Sequence, residues 1–176
     1  GGEALDLSKI LASDAAISGV YSLAAFYGGD AGVITLSAPE VMVSDGGVVG
    51  SSTVLNGGNA GSITIEAGEQ LDVLRGGAID ASTASGGRGG AIGLRAGEIT
   101  ISGAGVSGVP SRIRSVALGS GRAGGIGITA GNILIDGGVV ATSSLDSIFG
   151  FGVATGAAGD VAISGGKLEV TGGGRV

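Results

Sequence analysis

The 176-residue chain contains no cysteine, no histidine and no tryptophan, and only two prolines, two tyrosines and three phenylalanines. Without cysteine there is neither a disulfide framework nor a thiolate metal site. Without histidine, the plentiful serines have no partner for a nucleophilic triad. No stretch approaches the ~20 consecutive apolar residues of a membrane-spanning helix. No basic segment followed by an apolar one opens the chain as a secretory signal would. The first residues are Gly-Gly-Glu, which reads as a processed product or a piece of a longer chain. A net charge of −6 disfavours nucleic acid and anionic membrane as partners. Aromatics at 3% leave only a narrow aliphatic core.

Glycine is what the chain has instead, 41 of 176 residues. A glycine content this high in a chain without order would suggest low complexity, but these glycines are periodic. The clearest phrase runs from Gly58 to Ile79. A corner, Gly58-Asn59-Ala60-Gly61, precedes the alternating pair Ile63/Ile65. A second corner, Ala67 to Gln70, precedes Leu71/Val73, and a third, Gly76-Gly77, opens onto Ile79. Apolar residues at every second position mark half-buried strands. Three short strands joined by glycine corners describe one coil of a β-solenoid.

The phrase recurs. Its openings are Gly29-Asp30-Ala31-Gly32, Gly58-Asn59-Ala60-Gly61, Gly87-Arg88-Gly89-Gly90, Gly121-Arg122-Ala123-Gly124 and Gly156-Ala157-Ala158-Gly159. The first apolar pairs are Ile34/Leu36, Ile63/Ile65, Ile92/Leu94, Ile126/Ile128 and Val161/Ile163. The second are Val41/Val43, Leu71/Val73, Ile99/Ile101, Ile133/Ile135 and Leu168/Val170, and the third strand supplies Val49, Ile79, Ile113, Val140 and Val176. The expected fold is therefore all-β, a parallel β-helix of about five coils.

Residues 1–28 form a partial or capping coil with an aromatic loop, and 29–176 are the repetitive coils. In the first part, Leu5-Asp6-Leu7 and Ala15 to Ser18 read as strands of a partial coil. Leu7, Ile10 and Leu11 equally fit a short helix. Val20 to Tyr27 reads as a loop. Two insertions interrupt the later coils, Ala104 to Ser111 with Pro110 and Leu145 to Ala154 with Phe149 and Phe151.

Stacking turns equivalent positions into columns about 4.8 Å apart. Ser37, Glu66, Arg95, Thr129 and Ser164 form one outward column, which makes Glu66 and Arg95 neighbours able to pair. Glu40, Glu69, Glu98, Asn132 and Lys167 form another. Its three carboxylates fit a hard cation or, more plainly, three solvated side chains.

The phrase G-x-A-G-x-I-x-I-x-A-G-x-x-L-x-V-x-x-G-G-x-I resembles the repeats of the filamentous-haemagglutinin-like exoproteins of bacterial two-partner secretion. The likeness covers the chain from Gly29 onward. It implies a right-handed helix, export to the bacterial cell surface or medium, and a place in an adhesin or surface filament. That family's amino-terminal secretion domain is not recognisable here.

Parallel β-helices also carry polysaccharide lyases and hydrolases. Such sites need paired carboxylates in a cleft, whereas Glu66, Asp72, Asp80 and Asp136 scatter over different faces, with Asp80 and Asp136 near corners as solvated acids. A flat threonine face of the ice-binding kind fails, because Thr35 and Thr64 give way to Gly93, Gly127 and Ala162. The reading is a non-enzymatic rod without a cofactor, with a carbohydrate- or receptor-binding segment as the alternative and a polysaccharide-lyase-type enzyme behind it. Its expected partners are further coils, from another copy or a longer chain, and a host or matrix glycan or surface protein. The contact candidates are Tyr21, Phe26, Tyr27, Phe149 and Phe151, which are all of the chain's aromatics.

Overall fold

A computed structural model describes residues 18–25, 29–54, 58–84, 86–145 and 155–176. These residues form ten strands and no helix: β1 (Gly19–Ala25), β2 (Ile34–Ser44), β3 (Val48–Val54), β4 (Ile63–Leu74), β5 (Ala78–Asp80), β6 (Ile92–Ser102), β7 (Arg112–Leu118), β8 (Ile126–Asp136), β9 (Val139–Leu145) and β10 (Val161–Thr171). They stack as two parallel ladders. The short ladder runs β1-β3-β5-β7-β9 and the long ladder β2-β4-β6-β8-β10. The molecule is a parallel β-solenoid, as expected, with four complete coils and with β1 and β10 as half coils at opposite ends.

The expected columns are present. Ile34, Ile63, Ile92, Ile126 and Val161 pair in succession. The first four are buried, and Val161, on the outermost coil, is half-buried. The second pairs stack likewise and close the core from the other side. Each fully buried isoleucine contributes roughly 1.5–3 kcal/mol, and the repeat supplies such residues at every level.

Two of the three expected strands are one. The stretch read as a corner at Ala67 to Gln70 is a bend inside a continuous strand of 11 or 12 residues. Pairing runs straight through it in β6 and β8, from Ala96↔Ala130 to Glu98↔Asn132. Buried alanines (Ala67, Ala96, Ala130) line its inside. On its outside, a Cβ on Gly97 or Gly131 would stand 2.7 or 2.9 Å from the carbonyl oxygen of the preceding coil. Only small residues fit a chain bent this tightly against its neighbours.

The bend also corrects the carboxylate column. β4 carries one residue more than β2 and β6, and the register shifts between Ala38 and Glu40 and between Glu66 and Gln70. Glu40 consequently pairs with Gln70, and Gln70 with Glu98. Glu69 is the bulged residue. An extra residue in one strand leaves the ladder locally, so a neutral amide separates the two glutamates. No group of three acidic residues able to hold a metal ion occurs among the described residues.

Corners between the long and short strands are tight turns. Asp45-Gly46 and Arg75-Gly76 each have two successive positive φ angles, 54° and 77°, and 47° and 83°. The turns close through Gly47 N–H to Ser44 C=O at 2.8 Å and Gly77 N–H to Leu74 C=O at 2.9 Å, the mark of a type I′ turn. The insertion at 104–111 sits at this corner and folds as a small antiparallel loop with Ala104 opposite Pro110.

The other corner, at each G-x-A-G opening, uses glycine for a different reason. A Cβ on Gly61, Gly90, Gly124 or Gly159 would lie 2.0–2.2 Å from the carbonyl oxygen of the equivalent glycine one coil earlier. Here glycine is demanded by close stacking of backbones.

The sequence reading of the first part is also revised. Val20 to Ala25 is not a loop but most of strand β1, paired along its length with β3. The short-ladder strand of this half coil is Gly19–Ala25; of the strand expected at 15–18, only Ser18 lies among the described residues. The candidate strand at Leu5-Asp6-Leu7 and the helix reading lie outside the described residues.

Candidate functional site

Side chains of the short ladder alternate between the core and an outer face. Inward positions hold isoleucine or valine first and then small residues, serine, threonine or alanine, at the next two (Val49-Ser51-Thr53, Ile113-Ser115-Ala117). Ser51 is completely buried. Its Oγ donates to Gly32 C=O at 2.8 Å and accepts from Gly61 N–H at 3.0 Å. Ser115 does the same for Ala81 C=O and Gly124 N–H, at 3.2 and 2.9 Å. Ser22 accepts from Gly32 N–H, and Thr142 donates to Gly159 C=O. These hydroxyls satisfy the corner backbone that tight glycine packing turns away from the ladder. Sequence reading followed only apolar residues and missed them. Their signal was present: Ser22, Ser51, Ser115 and Thr142 share one register column.

The outer face of the same ladder carries the one concentration of chemistry among the described residues. Tyr21, Gly50, Asp80 and Arg114 occupy successive rungs of one column. Asp80 is buried, not solvated as its place near a corner suggested. Arg114 Nε donates to its Oδ2 at 2.6 Å, while Oδ1 is buried with no hydrogen-bond partner. A buried acceptor left unpaired costs about 1–3 kcal/mol. Arg112 lies two residues from Arg114 on the same face of β7 and is half-buried. Burial, with Arg114's charge adding, holds its guanidinium below the usual arginine value, and Asp80 opposes the shift.

Tyr21 lies on β1 over Gly50, where a Cβ would stand 3.3 Å from Cδ1 of the tyrosine ring. Glycine at position 50 gives the ring its seat. Partial burial, and secondarily the negative charge of Asp80, push the phenol up from its ordinary value. The Ile79/Ile113 alignment already placed Asp80 beside Arg114. The sequence reading weighed Asp80 only as one of several scattered acids and passed over that pair.

The remaining site candidates disperse. Phe26, Tyr27, Phe149 and Phe151 lie outside the described residues. Glu66 and Arg95 are neighbours on the long ladder, both exposed, yet they form no ion pair. With Ser37, Pro39 and Glu69 they line a shallow open groove at the bend. Glu40 and Glu98 are exposed rungs of the long ladder. Further along that column, Lys167 pairs with Glu169 on its own strand at 2.9 Å. Asp136 is half-buried and accepts from Thr171 Oγ1 at 3.0 Å. Asp72, also buried, accepts from Gln70 Nε2 at 2.9 Å. Comparisons with protein-family models, with curated proteins and with solved structures find no match.

Proposed function

We propose that the chain is a structural segment of a rod: part of a secreted bacterial surface adhesin or extracellular filament of the filamentous-haemagglutinin-like kind, non-catalytic and without a cofactor. One observation carries the reading. Both ladders run the length of the described molecule and present an open edge at either end. At the β10 end, Leu168 and Val170 occupy core register but remain 49% and 45% exposed. At the β1 end, Val20 stands in register with buried Val49 and is 45% exposed.

A parallel ladder with apolar rungs at its edge is completed by one more coil. The half coils are offset in the matching sense. β10 lacks a short-ladder strand above β9 beyond the single bridge Val139↔Arg175, and β1 is a short-ladder strand projecting past β2. The next coil comes from a longer chain or from another copy, and axial continuity results in both cases.

Sedimentation and negative-stain microscopy over a concentration series test the version with copies. Rods lengthening with concentration, and shortening when Leu168 and Val170 are both changed to lysine, support it. Particles of one fixed size whose behaviour ignores those substitutions remove self-assembly. The longer-chain version is tested by fusing a second copy in register after Val176. A fusion that melts as two independent transitions counts against it, because coupled coils melt together.

A second reading, a carbohydrate- or receptor-binding segment, draws on the Tyr21, Asp80, Arg112 and Arg114 cluster.

A further inference from the structure

That cluster is chemically incomplete in a specific way. Arg112 has no hydrogen-bond or ion-pair partner among the described residues, and Arg114 uses only its Nε, on Asp80. The two guanidinium groups project from alternate residues of one strand, about 7 Å apart along the backbone. Two cations and one anion leave the patch with one surplus positive charge, on a chain whose net charge is −6. Beside this surplus, Asp80 Oδ1 is an acceptor without a donor. Two rungs from Asp80, over Gly50, lies the flat ring of Tyr21.

We propose that this face binds a carboxylate bearing a nearby hydroxyl group, as in a hydroxy acid or a uronic acid unit. The guanidinium forks of Arg112 and Arg114 hold the carboxylate, Asp80 Oδ1, closed to solvent in the free protein and opened as the ligand enters, accepts the hydroxyl, and the Tyr21 ring covers the carbon skeleton. Planar two-oxygen anions match guanidinium geometry. A fully ionised phosphate brings two negative charges against Asp80 and no donor for Oδ1. A neutral sugar supplies the donor but leaves Arg112 uncompensated. Only a ligand combining one negative charge with a donor answers both deficits, and a ring on tyrosine adds apolar contact. The proposal names a ligand class for the binding-segment reading and is independent of the rod reading.

Calorimetric titration with D-galacturonate, trigalacturonate, D-galactose and acetate tests it. Galacturonate binds, acetate binds at least tenfold more weakly, and galactose does not bind. Arg112→Gln, which removes no internal partner and keeps the melting temperature, lowers galacturonate affinity at least tenfold. Arg112→Lys, which keeps the charge and loses the fork, falls between. Tighter binding of the trimer per sugar unit assigns the natural ligand to a polysaccharide, and equal binding assigns it to a free hydroxy acid. Equal binding of galactose overturns the acid preference and leaves a saccharide site. Failure of every sugar overturns the binding-segment reading as well. Galacturonate affinity unchanged in Arg112→Gln overturns the location.

Discussion

Asp45 and Arg75 hold the same corner of consecutive coils, each at positive φ, and Arg75 clasps Asp45 with two bonds, Nε to Oδ1 at 2.6 Å and Nη2 to Oδ2 at 2.8 Å. The left-handed conformation disfavours an arginine, and the ion pair ties the strained turn to the coil beside it. The hydrogen bonds from Arg75, with a further one from Ser44, bring the Asp45 carboxyl down to about 2.

A depressed carboxylate pKa stabilises the fold above the unfolded value, near 4, and loses that contribution as pH falls toward 2. Urea midpoints of the parent should therefore fall between pH 4 and pH 2. Arg75→Gly should flatten that part of the profile. At neutral pH, Arg75→Gly should melt above Arg75→Ala, since both lose the pair and only alanine keeps the strain. Both side chains are exposed, so 1 M salt should shrink the pH effect. Identical acid profiles for parent and glycine variant would deny the pair any role.

The isoleucine column gives the largest expected effect. Ile92 is 2% exposed between Ile63 and Ile126. Ile92→Asp places an unpaired carboxylate in mid-stack at a cost of several kcal/mol. Circular dichroism should show the cooperative β-sheet transition lost or moved far down. A variant melting near the parent would refute the register.

Glycines of the two kinds should respond oppositely. At Gly90 a Cβ meets Gly61 C=O at 2.0 Å, whereas at Gly93 nothing lies within 4 Å and φ is not positive. Gly90→Ala should unstack the corner and lower stability markedly. Gly93→Ala should be neutral or stabilise by about 0.4–1 kcal/mol, because it restricts the unfolded chain. Paired denaturant titrations compare them, and equal effects would mean that the stacked carbonyl does not dictate glycine.

Ser51→Ala should cost about 1–3 kcal/mol by leaving buried Gly61 N–H unpaired and removing the donor to Gly32 C=O. Ser52, next along β3 and facing outward, should tolerate alanine within about 0.5 kcal/mol. Hydrogen exchange at Gly61 N–H offers a local check: it should accelerate in Ser51→Ala and stay as in the parent in Ser52→Ala.

The columns through Ile63, Leu71 and Ile79 were legible because alternation and repetition reinforce each other, and the outward neighbours Glu66 and Arg95 followed from the same alignment. The bend was not legible as a bend. Ala-Gly reads as a break in a single chain, but with coils above and below it the ladder carries through. The bulge at Glu69 depends on β4 holding one residue more than its neighbours, a difference that a motif-by-motif alignment absorbs silently. Tyr21 was assigned to a loop because the repeat motif stops short of it, while pairing with β3 makes that segment a strand. Asp80 read as solvated because burial on an outer face depends on what packs across it, which no periodicity encodes.

The five openings of the repeat are 29, 29, 34 and 35 residues apart, yet each stacks directly on the opening one coil earlier. Spacing along the axis is thus set by the ladder and not by how much chain each turn consumes. Such a molecule can lengthen or shorten only by whole steps of about 4.8 Å. Excising residues 58–86, one complete repeat, would bring the corner at Gly87 onto that at Gly29 and return a rod one step shorter. Excising half as much would leave no register to fall back on. The molecule measures distance in integers, as a notched ruler does.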